Sequence, residues 1–125
     1  MKISQKLDNK QDRFFDSVAM PSTATITSDP FRFAELGSAV ELAIVASEDF
    51  TSTADITIVV KSSSTVDGSY VAVQSMLIAA GTYEAGDELA LYTPNTNIGH
   101  YATVDLTTTE DLSTKTIIGT LYYVA

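Results

Sequence analysis

Apolar and polar residues alternate most clearly at two places in the chain. In Asp55-Ile-Thr-Ile-Val-Val-Lys61, the residues Ile56, Ile58 and Val60 share one face, while Thr57, Val59 and Lys61 share the other. In Tyr101-Ala-Thr-Val-Asp-Leu106, Ala102, Val104 and Leu106 oppose Tyr101, Thr103 and Asp105. A period of two is the signature of a half-buried strand. Further strands are predicted over 24–27, 39–46, 70–78, 88–92 and 117–124, which gives seven or eight in all. Asp67-Gly68 between two β-rich runs reads as a hairpin turn, because glycine accepts the positive φ that tight hairpins use. Ala79-Ala-Gly81 and Ala85-Gly-Asp87 read as the ends of a longer crossing loop, and the stretch from Pro94 to Gly99 as another loop. Many short strands without intervening helical patterns predict an all-β fold: a two-sheet β-sandwich, jelly-roll type, with an N-terminal arm.

Residues 1–20 form that arm and residues 21–125 the β-sandwich domain. Ile3, Leu7, Phe14 and Val18 fall near one helical stripe, but Lys10, Gln11 and Asp12 thin it, so a short helix and an extended arm both fit. The pair Phe14-Phe15 is costly to leave in water. It either packs back on its own sandwich or anchors on a neighbouring subunit.

Composition adds exclusions. Ser and Thr are abundant and helix formers are thin after residue 36, which agrees with strands and turns. The chain of 125 residues has no cysteine, so neither disulfides nor thiolate metal sites contribute. Sixteen acids against seven bases give a net charge of -9, which argues against a nucleic-acid partner. Lys2, Lys6, Lys10 and Arg13 lie in the first twenty residues; the remainder holds Arg32, Lys61 and Lys115 against thirteen acids. A near-neutral arm thus precedes an acidic body, whose charge keeps the protein soluble or steers docking. The charged start of the chain lacks a signal-peptide pattern, and the apolar runs at 42–46 and 76–80 are far below the ~18 residues of a spanning helix. The expectation is a soluble protein made in the cytoplasm, with no membrane partner.

Catalytic chemistry finds little support. His100 is the only histidine, there is no G-x-S-x-G elbow, and the glycines form no phosphate cradle. The carboxylate pairs Glu48-Asp49, Asp87-Glu88 and Glu110-Asp111 flank predicted turns and read first as solvated turn charges, with a loop calcium as the weaker alternative. Tyrosines at 70, 83, 92, 101, 122 and 123 could line a sugar-binding platform, although core or interface packing is the ordinary use of such residues. Tyr122 and Tyr123, as strand neighbours, face opposite ways. No enzyme activity and no cofactor is expected.

The order of segments resembles the small jelly-roll capsid cement, or decoration, proteins of tailed bacteriophages. The likeness runs from Asn9-Lys-Gln-Asp-Arg-Phe-Phe-Asp16 through Ser22-Thr-Ala-Thr-Ile-Thr27 and Val40-Glu-Leu-Ala-Ile-Val-Ala46 to Ile56-Thr-Ile-Val-Val60. It continues with Asp67-Gly-Ser-Tyr70, Met76-Leu-Ile-Ala-Ala-Gly81, Leu89-Ala-Leu-Tyr92, Tyr101-Ala-Thr-Val-Asp-Leu106 and the closing Ile117-Ile-Gly-Thr-Leu-Tyr-Tyr-Val-Ala125. Where the family commonly has a Pro-x-Gly step and a Tyr-Leu-Arg-Leu-type strand, this chain has Pro94 to Gly99 and an acidic strand at Tyr101. The resemblance implies a non-enzymatic virion protein on the capsid exterior, made in the host cytoplasm and clamping neighbouring major capsid proteins as a homodimer or other small homo-oligomer. The arm would be the clamp, with Arg13, Phe14 and Phe15 as capsid or subunit-interface candidates. The alternatives are a carbohydrate-binding or adhesion module and a phage tail or fibre module.

Overall fold

Each principal strand is built on inward-facing apolar residues, and they share one core. The computed structural model describes residues 13–32, 40–93 and 101–123. Eleven strands lie within them: β1 (Arg13–Ala19), β2 (Thr25–Thr27), β3 (Phe31–Arg32), β4 (Val40–Ala46), β5 (Phe50–Ser52), β6 (Ile56–Ser63), β7 (Val71–Ile78), β8 (Gly81–Tyr83), β9 (Glu88–Tyr92), β10 (Tyr101–Thr107) and β11 (Thr116–Tyr123). There is no helix among the described residues, so none is long and apolar enough to cross a membrane.

All pairing is antiparallel. One sheet has the order β1-β11-β4-β9. A second has the order β2-β10-β6-β7, with β3 also paired to β10. A small ribbon, β5-β8, stands apart. Leu42, Ile44, Ala46, Ile117 and Leu121 of the first sheet share a buried cluster with Ile56, Ile58, Val60, Ala102, Val104 and Leu106 of the second. Two sheets facing one core make the fold β-sandwich-like. The strands with the clearest alternation, β6 and β10, lie side by side at the centre of the second sheet.

On the outer face of that sheet, β2, β10 and β6 carry matched polar pairs. Lys61 Nζ lies 2.8 Å from Asp105 Oδ2, Thr27 donates its hydroxyl to Asp105 at 2.8 Å, and the Thr25 and Thr107 hydroxyls lie 2.7 Å apart. Cross-strand pairs of this kind are what hold a register on a solvated face. The β2–β3 break is equally local. Pro30 cannot donate a backbone hydrogen bond, and the buried Ser28 bridges the gap: its N–H donates to Val104 O and its Oγ accepts from Val104 N–H, both at 2.9 Å.

Two turns depart from their sequence reading. The β6–β7 hairpin forms around Asp67 and Gly68, but Gly68 is not among the positive-φ residues. Glycine is needed there for space, since a Cβ would lie 2.6 Å from Thr65 Oγ1 and closer still to Ser63 Oγ. The described glycine with positive φ is Gly86, at 90°, in the turn from β8 to β9, where its N–H donates to Ala46 O at 2.8 Å. The 94–99 loop and His100 lie outside the described residues, as do residues 1–12 and the side chains of Tyr122 and Tyr123.

Candidate docking site

Residues 13–19, read as part of an arm, form β1 at the edge of the first sheet. They pair with β11 through Arg13 and Thr120, Phe15 and Gly119, Val18 and Ile117, and Ala19 and Thr116, with two register shifts. Ser17 sits within the second shift, between Phe15 and Val18, at φ 53°, the left-handed conformation that a bulge can impose. The shifts break the period of two, so this segment carries no strand signature.

Of the three candidate interface residues, Phe15 is 3% exposed and belongs to the core. Phe14 is half-buried. Its ring stacks on Phe31, centroids 5.0 Å apart and planes 20° apart, and lies 5.3 Å from the Phe15 ring. It also covers Gly119 so closely that an added Cβ there would lie 2.6 Å from Phe14 Cζ. Glycine inside a strand often marks such a close approach. Arg13 has a largely covered side chain, and its Nη1 meets Asp16 Oδ1 at 2.8 Å. All three therefore lie on the edge strand of the first sheet. Beside them, an open cleft of about 220 Å³ is lined by Phe14, Phe15, Val18, Ile26, Thr27 and Asp29. It lies where the edge strands β1 and β2 of the two sheets come together.

The carboxylate pairs prove to be braces as well as turn charges. Glu48 Oε2 accepts from the N–H and hydroxyl of Thr116 at 3.1 and 3.0 Å, and Lys115 Nζ lies 3.8 Å from its other oxygen. Asp49 accepts from Ala85 N–H at 2.9 Å, and Asp87 from Glu84 N–H at 2.8 Å. Glu110 accepts from Thr53 N–H at 2.7 Å, Thr53 hydroxyl at 3.0 Å and Ala54 N–H at 3.0 Å. Burial pulls the Glu110 pKa up, but these three donors outweigh it and hold the group below the usual glutamate value. Ser113 hydroxyl and N–H, helped by Ser22, lower Asp111 in the same way. Glu88 differs: its Oε2 is buried without a hydrogen-bond partner. No group of three or more metal-ligating side chains occurs among the described residues.

The described tyrosines do not form one exposed row. Tyr92 is buried, Tyr83 stacks on Phe50 at 5.2 Å, Tyr70 donates to Val66 O at 2.9 Å, and Tyr101 lies under the Arg32 guanidinium at 5.7 Å. Sequence reasoning picked out the aromatic pair at 14–15 but missed Gly119 and Phe31, whose only signals were an unexplained strand glycine and an aromatic beside a proline. In comparisons with known proteins, no family model and no curated protein matches this sequence.

Proposed function

We propose that this protein is a structural, non-enzymatic virion component: a jelly-roll capsid cement protein that binds the outside of a tailed-phage head and clamps neighbouring major capsid proteins. The observation that carries the reading is the nesting of its strand pairs. Among the eight principal strands, the first pairs with the last (β1 with β11), the second with the seventh (β2 with β10), the third with the sixth (β4 with β9) and the fourth with the fifth (β6 with β7). A single antiparallel ribbon rolled up so that β11 also meets β4, and β10 also meets β6, has this order. That is how a jelly roll is wound, and it supports the architecture expected from the resemblance along the chain.

A fold of this kind hosts many functions. What favours cementing is a body whose turn carboxylates Glu48, Asp49, Asp87, Glu110 and Asp111 are engaged in bracing loops. Shells repeat their sites, so modest contacts on each copy add to durable holding through effective concentration. Arg13, Phe14 and Phe15 then serve as the root of the clamp, fixing the preceding arm to the sandwich, with the cleft beside them as the docking surface for the major capsid protein. The oligomer is a homodimer or other small homo-oligomer, located on the capsid exterior.

The test is sedimentation of the purified chain with and without empty phage heads. Saturable co-sedimentation that a deletion of residues 1–12 weakens supports the reading, and that deletion leaves β1 whole. A folded protein that never travels with heads overturns it.

A further inference from the structure

Segments 20–24, 47–55, 79–87 and 108–115 each cross from one sheet to the other, and antiparallel pairing puts all four at one end of the sandwich. Two of them, 47–55 and 79–87, carry β5 and β8, which pair with each other in a ribbon separate from both sheets. A two-stranded ribbon of three residues a side is not stable alone. It is anchored by the ring of Phe50, which is buried in the core, and by hydrogen bonds to carboxylates. Glu110, on the neighbouring segment, accepts from the N–H and hydroxyl of Thr53 and the N–H of Ala54. In the reverse direction, Glu48 reaches from 47–55 to the N–H and hydroxyl of Thr116. Segments 20–24 and 108–115 are stitched differently, by backbone bonds. Met20 N–H donates to Lys115 O at 2.9 Å, Thr23 N–H to Glu110 O at 3.2 Å and Leu112 N–H to Pro21 O at 3.0 Å. Carboxylates take up protons in mild acid and backbone carbonyls do not.

We propose that the β5–β8 ribbon is an acid-released lid: protonation of Glu110 unlatches it from 108–115 and frees it from the end of the core, uncovering Phe50 while both sheets stay folded. The base on which it turns is where its segments join β4 and β9. There Gly86, at φ 90°, donates its N–H to Ala46 O at 2.8 Å, and Ala46 N–H donates to Asp87 O at 3.0 Å. Hinges are a few terminal or loop residues of this kind. The charged groups on the segments at this end are Glu48, Asp49 and Asp55 on 47–55, Glu84 and Asp87 on 79–87, Glu88 at the start of β9, and Asp111 and Lys115 beside Glu110; 20–24 carries none. Lys115 is the one base among them, and its Nζ lies 3.8 Å from Glu48. The surrounding acids repel an ionised Glu110, so the latch closes against their field. Burial also raises the Glu110 pKa, yet the Thr53 and Ala54 donors leave it below the ordinary glutamate value. Ionised Glu110 and the closed lid therefore favour one another. The latch is complete above the unfolded value of 4.5 and is lost as pH falls through the lower folded one.

Amide hydrogen exchange of the full chain, read by NMR as protection factors between about pH 7 and about pH 3, tests the lid. The expected result is a loss of protection of at least about tenfold at Thr53 and Ala54, while Ile58 and Leu106 in the central strands of the second sheet keep theirs. A dye that fluoresces on exposed apolar surface gains signal over the same range, with the far-UV circular dichroism of the sheets unchanged. Glu110→Gln, which does not titrate, makes protection at Thr53 and Ala54 independent of pH. Asp67→Asn, in the hairpin at the opposite end, leaves the wild-type response as it is, and circular dichroism establishes that both variants are folded. Protection at Thr53 and Ala54 that persists to about pH 3 overturns the proposal. So does simultaneous loss at all four amides, which is unfolding of the whole sandwich, and so does a folded Glu110→Gln chain that responds to acid as the wild type does.

Discussion

Replacing Phe15 and Phe14 separately by alanine asks whether β1 is held in the sandwich or only lies against it. Phe15 is a core ring, 3% exposed, so Phe15→Ala removes a buried aromatic and leaves a cavity in the core cluster. Substitutions of this type cost about 3–5 kcal/mol. Phe14 is half-buried and stacks on Phe31 at 5.0 Å. Half of a full aromatic burial, about 1 kcal/mol, plus a ring–ring contribution of about 0.5–1.5 kcal/mol, predicts a loss of about 2 kcal/mol. Against a total stability of about 5–15 kcal/mol for a domain this size, Phe15→Ala removes a large share. Urea unfolding followed by tyrosine fluorescence and far-UV circular dichroism measures both, since the chain has six tyrosines and no tryptophan. The expected order is wild type, then Phe14→Ala, then Phe15→Ala, with unchanged denaturant slopes. Losses below about 0.5 kcal/mol in both variants would refute the reasoning and return residues 13–19 to a detached arm.

Three further outcomes follow from local geometry. Gly119→Ala drives a Cβ into the Phe14 ring and costs about 1–3 kcal/mol; in a Phe14→Ala background the same change costs little, a non-additivity that a double-mutant cycle in urea detects. Thr23 holds φ 53°, an unusual conformation for a β-branched side chain, so Thr23→Asn raises stability by about 0.5–1 kcal/mol, read as a higher urea midpoint. Glu110 and Asp111 have lowered pKa values in the folded chain, so the unfolded chain takes up protons first as pH falls. Their stabilisation is complete above the unfolded values near 4.5 and 3.8 and is lost as pH falls through the lower folded ones, so urea midpoints drop in that acid window and Glu110→Gln flattens the drop.

The sequence made some strands plain and hid others for physical reasons. β6 and β10 were legible because one face meets the core and the other meets solvent, so burial and alternation coincide. β4 was legible as a run but not by alternation, since Ala43 and Val45 are buried along with Leu42, Ile44 and Ala46. β1 was hidden by its bulge, which shifts register twice within seven residues. β3, β5 and β8 are two or three residues long, too short to show a period, and are set by partners distant in sequence. At the candidate site, Phe14 and Phe15 stood out as an aromatic pair in a charged stretch. Their fate depended on Gly119 and Phe31, and no local pattern reports contacts closed over such separations. The role of β7 as an edge was equally out of reach, because a strand's neighbours are a property of topology and not of its own residues.

The nesting that places β11 between β1 and β4 also constrains the order in which the molecule can assemble. Phe15 and Gly119 are paired across roughly one hundred residues, so the first sheet cannot close until nearly the whole described chain has been made. During synthesis the β6–β7 hairpin can form early, while β1 and β4 wait with apolar faces open for a strand that has not yet emerged. Folding should therefore be slow, in milliseconds to seconds, and completed only after translation has passed β11, which exposes the newly made chain to misassociation in the interval.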